Sequence, residues 1–252
     1  MPIPRQPFRR HAGRLAIGLF ALPLLVLLII GAATEFAVRE LDRRTQSELR
    51  QETLRKATAI RAVLESELNA TAFLANGIES YVVARRGQVN AHEIEAMLHL
   101  LYQRGRYFRN LGIAPDNRLQ YIFPKAGNEK AIGIDYAQIP TQWPAVRQVI
   151  EEGKGRLAGP VNLLQGGTGL IYRTPIFIDG AYWGLISTVI DYDKLMSAIT
   201  PLLADKDVRM ALRGRDGHGA DGEVFFGDGE LFSADNPRLS IGIPGGHWEM
   251  TV

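Results

Sequence analysis

The hydrophobic pattern of this chain begins with one long apolar segment close to the N-terminus. Residues Leu15 to Ala33 include no charged side chain, and about 19 apolar residues are enough to cross the hydrocarbon core of a bilayer as a helix. The fourteen residues before this segment contain four arginines and no acidic residue. Because positively charged flanks stay in the cytoplasm, the pattern predicts a cytoplasmic basic tail over 1–14, a transmembrane helix over 15–33 and export of everything after Ala33.

A cleaved secretory signal is the alternative interpretation of the same segment. Gly31 and Ala33 are small enough for a cleavage site, but the apolar core of a signal is usually only about 7 to 15 residues long. Either interpretation places the rest of the chain outside the cytoplasm.

From Glu35 to about Ile78 the pattern predicts one long amphipathic helix, and we assign residues 34–72 to it as a stalk helix. Apolar residues recur along it at spacings of mostly three, four and seven. They are Leu49, Ala57, Ile60, Leu64, Leu68 and Phe73. This face either packs against a globular core or pairs with a second copy as a dimeric stalk.

The pattern then changes from helices to strands. A second helix is predicted after Asn90, its capping residue. After Gly105 the period becomes two, and the runs YFRNLGIA and RLQYIF flank a turn at Pro115-Asp116-Asn117, which predicts a hairpin. A short helix is predicted from Thr141 to Gly153.

A second hairpin is predicted around Asp179-Gly180, which lies between two apolar runs. A two-residue turn makes Ile178 face Ala181, and counting outward from there places Arg173 opposite Ile186. Side chains alternate along a strand. The residues of the second strand that this register places on the face of Arg173 are Tyr182, Gly184, Ile186 and Thr188.

An arginine on this mainly apolar face needs a partner, because burying an unpaired charge is costly. One interpretation is an internal carboxylate, from Asp135 or Asp191. The other is an anionic ligand, which the planar guanidinium suits, with Gly184 leaving room beside it. The same strand pair therefore predicts either a salt-bridged core or one wall of a pocket.

Composition and charge exclude several other functions. The chain of 252 residues is 46% hydrophobic and contains no cysteine, so it has no disulfide, thiol nucleophile or cysteine-bound metal. The four arginines of the tail exceed the whole formal net charge of +2, so the remainder is net acidic and no nucleic-acid surface is expected.

No catalytic or cofactor-binding motif is found in the sequence. His92 and His99 lie seven apart on a predicted helix without a third ligand, so we expect no metal site. The glycine-rich segments lack the spacing of a nucleotide loop, and no Gly-x-Ser-x-Gly motif is present. We expect no cofactor and no enzymatic activity in this chain.

The segments RNLGIAPDNRLQYIFPKAGNEKAIGIDY, LAGPVNLLQGGTGLIYRTPIF and YWGLISTVID resemble the CHASE domain, an extracytoplasmic sensor module of membrane histidine kinases and of cyclic-di-GMP synthases and phosphodiesterases. The resemblance covers about Phe73 to Leu203. It implies an α+β fold, in which the long helix leads into two PAS-like antiparallel sheet units. The larger, distal unit (73–203) binds the ligand, and a smaller membrane-proximal unit (204–252) follows.

The resemblance also implies ligand-binding residues. In the plant cytokinin receptors of this group an aspartate holds the base of the hormone, and Asp135 matches it. A ligand-contacting threonine of that group is replaced here by Arg173, which makes a neutral adenine-type ligand doubtful and favours a carboxylate or phosphate group. The remaining candidates are Thr188, Tyr121, Asn128, Tyr182 and Gly184.

The function predicted from these features is a membrane-anchored sensor that binds a small, anionic ligand. It lies in the bacterial inner membrane with the residues after Ala33 outside the cytoplasm, and it dimerises through the stalk helix. It passes the signal to a cytoplasmic kinase or cyclic-di-GMP output module. A membrane-anchored envelope hydrolase and a structural or dimerisation module that binds nothing are the alternatives.

The C-terminal segment HWEMTV has the pattern of a strand. A receptor of this kind is expected to cross the membrane again and to carry its output domain inside. We therefore expect either that this chain is a fragment or that the output is a separate protein.

Overall fold

A computed structural model describes residues 12–203, 209–233 and 236–252, with side chains from residue 23 onward except at Leu203. The predicted basic tail up to residue 11 lies outside the described residues, as do the side chains of 15–22 in the predicted span. The chain divides into two compact units, 1–52 and 53–252. A continuous helix, α1, runs from Ala12 to Ala84.

The described residues of the first unit are helical. From Leu24 to Ile30 every side chain is apolar and at least 47% exposed. No helix in the part of the chain with described side chains is sufficiently long and apolar to traverse a bilayer.

In the second unit, one face of α1 is buried in the main core. Its buried residues are Ala57, Ile60, Leu64, Leu68, Ala75, Ile78 and Val82. Two residues of the seven-spaced series, Ala57 and Leu64, therefore pack inside the chain and are not free to face a second copy. On the opposite face, no exposed residue from Thr58 to Ala84 is charged; Phe73 lies on this face and is 77% exposed.

A second helix and a five-stranded antiparallel sheet follow α1 along the chain. The helix α2 (Ala91–Arg104) is capped by Asn90, whose side chain accepts from the N–H groups of His92 and Glu93. The strands are, in chain order, β1 (Phe108–Pro115), β2 (Tyr121–Phe123), β3 (Arg156–Asn162), β4 (Thr168–Ile178) and β5 (Ala181–Asp191), and they lie in the order β2-β1-β5-β4-β3. The helix α3 (Trp143–Glu152) precedes β3, and α4 (Tyr192–Ile199) follows β5.

Both predicted hairpins are present. The β1–β2 turn includes Asp116 and Asn117, and the β4–β5 turn is Asp179-Gly180; all four residues have positive φ. Asparagine, aspartate and glycine tolerate this backbone region best. Ile178 faces Ala181 as expected.

The predicted register is wrong by one residue farther along the second hairpin. Phe177 faces Tyr182, but Ile176 faces Gly184, so Trp183 is an extra residue in a β-bulge and Arg173 lies opposite Ser187. A bulge places two residues against one and reverses the alternation beyond it. The turn alone could not reveal this shift.

A four-stranded antiparallel sheet completes the second unit. It consists of β6 (Ala211–Arg213), β7 (Val224–Phe226), β8 (Arg238–Ile243) and β9 (Gly246–Thr251), in the order β7-β6-β9-β8. Side chains from this sheet, including Ile241, Trp248 and Met250, share the main core with α1 and with one face of the five-stranded sheet. The fold is thus α+β, with a long helix followed by antiparallel sheets.

Candidate functional site

The face of the five-stranded sheet that points away from α1 carries buried polar side chains. The other face packs Leu111, Ile186 and Tyr172 into the main core. By alternation, Asn110 on β1, Ser187 on β5 and Arg173 on β4 lie on the outer face, and each is only 3% exposed. A face that is covered and yet polar is unusual for a structural core, which makes it the candidate site.

Arg173 is the central charge of this face. Its Nη2 donates to Oε1 of Gln142 at 2.7 Å, and its guanidinium carbon lies 5.7 Å from the ring centroid of Tyr136. Its Nε is buried without a hydrogen-bond partner. Burial lowers the pKa of Arg173, and Tyr136 and Asp216 act in the opposite direction.

Neither predicted internal carboxylate pairs with Arg173. Asp135 lies 3.9 Å from Nη2 of Arg118, and Asp191 lies 3.4 Å from Nζ of Lys194. Among the described residues no carboxylate is close enough to Arg173 for an ion pair. The interpretation as a core with a direct salt bridge to one of these two aspartates is therefore wrong, and Arg173 is held by an amide oxygen and an aromatic ring.

A cavity of about 30 Å³ lies over the centre of the outer face. Its floor includes Asn110, Ser187 and Ile171. Its cover comes from the connection between β2 and α3, with Tyr136 and Gln142, and from the β3–β4 loop, with Leu163 and Gln165. A volume of this size holds one or two water molecules, whereas pockets for small organic ligands measure about 300–1,000 Å³.

Asn128 fixes one edge of the cover to the sheet. Its Oδ1 accepts from Nδ2 of Asn110 at 2.8 Å and from Nε2 of Gln165 at 3.3 Å, and its Nδ2 donates to the carbonyl of Pro124. Asn128 is 3% exposed. This amide joins β1, the β2–α3 connection and the β3–β4 loop in one network beside the cavity.

Asp135 and Tyr182 lie at the margin of this region. The Asp135 carboxylate accepts from the N–H of Ala137 and so caps the turn that carries Tyr136. The hydroxyl of Tyr182 donates to Oδ1 of Asn117 at 2.7 Å. Burial, followed by the charge of Asp116, raises the pKa of Tyr182.

Three predicted residues lie elsewhere because of the register. Thr188 faces Tyr172 and Leu111, and Tyr121 faces Ile113, so both belong to the face toward α1. Gly184 shares that face, and a Cβ there would lie only 2.7 Å from the carbonyl oxygen of Ala114. The glycine allows close approach of β1 and β5, and the predicted space for a ligand beside Arg173 is wrong.

Sequence reasoning missed the five polar residues that line the cavity: Asn110, Tyr136, Gln142, Gln165 and Ser187. Asn110 and Ser187 stand in otherwise apolar runs, NLGIA and LISTV, and this polar interruption was a usable signal. Tyr136 and Gln142 come from irregular connections, where periodicity carries no information on side-chain direction.

A larger groove, of about 240 Å³, lies between α1 and the connection from α2 to β1. It is lined by Leu68, Leu74 and Phe108. Arg106 and Glu67 also line it and form an ion pair with an N–O distance of 3.2 Å. No unpaired buried charge lines it, whereas the cover of the smaller cavity includes Gln142, which accepts from the buried Arg173, so the smaller cavity is the candidate site. In the described part of the chain, no cluster of three or more potential metal ligands occurs.

The model of the CHASE domain matches residues 51–226. The chain belongs to the CHASE family. The match extends beyond the predicted sensor segment on both sides and includes part of α1 and the first two strands of the four-stranded sheet. No curated protein sequence matches the chain.

Solved structures share the fold of this CHASE protein at low sequence identity. The ligand-binding domain of the Pseudomonas aeruginosa PAO1 amino acid chemoreceptor PctB, in complex with L-Arg, has a TM-score of 0.59 and 13% identity, over 81% of this chain and 94% of that chain. The sensory domain of the Campylobacter jejuni chemoreceptor Tlp3 has a TM-score of 0.56 and 11% identity, over 82% and 93%.

An extracellular ligand-binding receptor from Desulfohalobium retbaense DSM5692 is similar as well. It has a TM-score of 0.58 and 15% identity, over 79% of this chain, but this chain spans only 39% of that receptor. These likenesses show that the CHASE protein has the fold of ligand-binding sensor domains.

Proposed function

We propose that this chain is the extracytoplasmic input of a membrane-anchored receptor, built from two PAS-like sheet units, and that it binds a small anionic ligand at Arg173. The observation that carries the proposal is a buried guanidinium whose Nε has no hydrogen-bond partner and which has no paired carboxylate among the described residues. Desolvating an unpaired charge costs several kcal/mol. An acidic ligand group that forms the missing ion pair therefore stabilises the folded chain.

The ligand enters by displacing the cover. Its acidic group pairs with Arg173, and Asn110, Ser187 and Tyr136 supply neutral hydrogen-bonding groups. Asp135, which caps the turn beneath Tyr136, receives a donor from the ligand once that turn has moved. Because the cavity measures only about 30 Å³, the covering connections must move outward when a carboxylic acid or an amino acid binds.

Anchoring and output follow the predicted topology. The exposed apolar run from Leu24 to Ile30 supports insertion of this part of α1 in the inner membrane. The uncharged exposed face from Thr58 to Ala84 supports a homodimer through α1. The proposed output is a cytoplasmic kinase or cyclic-di-GMP module that responds to a small shift between paired helices.

Thermal unfolding of the 252-residue chain with a panel of small molecules that carry a carboxylate or phosphate group tests the binding role. Acetate, succinate, 4-aminobutyrate, L-arginine and phosphate sample carboxylates and oxyanions of different size. We expect at least one to raise the melting temperature, because binding to the folded state alone stabilises it. Arg173→Ala abolishes that rise. Arg173→Lys keeps the charge but loses the two-pronged geometry, so it retains only part of the rise in melting temperature.

Arg147→Ala is the matched control, since Arg147 lies on α3 with a side chain that is 62% exposed. It should leave both folding and the ligand response unchanged. The proposal fails if no compound of the panel shifts the melting temperature of the wild type. A loss of roughly 3–5 kcal/mol of unfolding free energy in Arg173→Ala would then indicate a broken internal ion pair.

A further inference from the structure

A second cavity of about 30 Å³ lies at the other side of Arg173, where the two sheets of the second unit meet. Arg173, Arg156, Asp216 and His218 line it together with residues of α3. Asp216 and His218 belong to the segment between β6 and β7. Arg173, which donates to Gln142 in the cover of the outer-face cavity, thus also faces the connection between β6 and β7 of the four-stranded sheet.

Two arginines lie side by side at this junction. Arg156 on β3 is the direct cross-strand neighbour of Arg173 on β4, and like charges in this position repel each other. Arg156 has its own carboxylate, because its Nη1 lies 3.0 Å from Oε2 of Glu152. Arg173 has none, so the remaining acidic group of the cavity, Asp216, is the only one in its lining that is available to it.

Asp216 is held in place by the edge of the five-stranded sheet. Its Oδ1 accepts from the backbone N–H of Gly159 at 2.7 Å. This hydrogen bond lies at the irregularity in β3 between Ala158 and Val161. Nearby, the N–H of Leu157 donates to the carbonyl of Pro244, in the β8–β9 turn. The two sheets are therefore joined at β3, and the Asp216 carboxylate is one of the joining groups.

We propose that Asp216 is the internal counter-charge of Arg173, and that an anionic ligand competes with it and so weakens the contact between β3 and the membrane-proximal sheet. The inference rests on the proposed function, because it assumes that the ligand binds Arg173. The attraction acts through the shared cavity and without direct contact. A ligand anion on the guanidinium removes that attraction and repels the carboxylate.

A double-mutant cycle tests the counter-charge without any ligand. Asp216→Asn keeps an oxygen that can accept from Gly159 and removes only the charge. We expect it to lower the melting temperature of the wild type by roughly 2–4 °C and to have little effect in an Arg173→Gln background. Equal losses in both backgrounds overturn the pairing, since independent residues contribute additively.

Acetate titration tests the competition. We expect Asp216→Asn to bind acetate roughly three to ten times more tightly than the wild type, because a competing negative charge is gone. Asp221→Asn is the matched control: it removes one charge from an exposed position in the same segment and leaves the affinity unchanged. Acetate should also accelerate hydrogen exchange at the Gly159 amide in the wild type and not in Arg173→Gln.

The outcomes separate the two proposals. If acetate binds the wild type and Asp216→Asn equally, Arg173 is a ligand site but the competition is wrong. If neither acetate nor any other compound of the panel changes the melting temperature of the wild type or of Asp216→Asn, the proposed function itself fails, and with it the competition.

Discussion

Gly242 on β8 donates its backbone N–H to a carboxylate oxygen of Glu65 on α1 at 2.8 Å, across 177 positions of sequence. Glu65 also lies 3.9 Å from Nε of Arg61 on the preceding turn. The four-stranded sheet is therefore attached to the long helix by a hydrogen bond as well as by shared apolar packing.

Removing this attachment should destabilise the second unit. Glu65→Ala leaves the Gly242 N–H without its partner, and we expect a loss of about 1 kcal/mol in the free energy of unfolding by urea. Glu65→Gln retains an oxygen acceptor and should lose less. Hydrogen exchange at the Gly242 amide reports the bond directly; identical exchange in the two variants would contradict its importance.

The network of Asn110 and Asn128 provides a test of the cover. Asn128→Ala leaves the buried Nδ2 of Asn110 unsatisfied, which we expect to cost roughly 1–3 kcal/mol of unfolding free energy. Hydrogen exchange in the β2–α3 connection should accelerate as well. Asn162→Ala, at an exposed asparagine of β3, should change neither quantity. A cover whose exchange stays at the wild-type rate would show that Asn128 does not hold it.

Cysteine crosslinking tests the dimer face of α1. The chain has no native cysteine, so single substitutions report one position each. Ser66→Cys and Ser80→Cys, on the uncharged exposed face, should form disulfide-linked dimers in membranes. The controls are Ala57→Cys, on the buried face, and Ala96→Cys, exposed on α2. Crosslinking no stronger at the two serine positions than at Ala96 would rule out this interface.

Tyr192 gives the stability a dependence on alkaline pH. Burial raises its pKa to about 12, and its hydroxyl donates to the carbonyl of Phe225 at 3.2 Å. The folded state therefore holds the proton more tightly than the unfolded state, whose tyrosine pKa is about 10. This contribution is complete below pH 10 and is lost as the pH rises to about 12.

Tyr192→Phe should remove that part of the pH dependence. We expect a cost of roughly 0.5–1.5 kcal/mol at pH 7 from the missing hydrogen bond, and a difference from the wild type that shrinks between pH 10 and 12. Urea unfolding at several pH values measures it. A difference that stays constant through this range would mean that the surroundings do not shift the pKa of the Tyr192 hydroxyl.

Local patterns predicted most of the fold because they depend on near neighbours. Asn90 capped its helix, and Asp179-Gly180 formed the expected turn, since both signals act over a few residues. The apolar stripe of the long helix was recognised, but whether Ala57 and Leu64 faced a core or a second copy depended on strands more than a hundred residues away.

The sequence indicated the site only at a residue whose burial costs free energy. Arg173 stood out because an arginine in an apolar strand needs a special environment, and the structure places it beside the outer-face cavity. Thr188 and Gly184 were derived by counting from the turn, and the extra residue at Trp183 moved them to the other face. Tyr136 and Gln142 reach Arg173 from irregular connections whose course depends on tertiary packing.

The bulge at Trp183 has a consequence for reading and redesigning this family. In a count from the turn, this one extra residue decides which side chains of β5 beyond it face the main core and which lie on the outer face of the sheet. Deleting Trp183 would leave Tyr182 and Gly184 as neighbours opposite Phe177 and Ile176, so the strand would become regular and Ser187 would stay opposite Arg173. A related hairpin that is one residue shorter at this point would therefore present the same side chains on each face, and residues of this strand are correctly matched between proteins by counting from its far end.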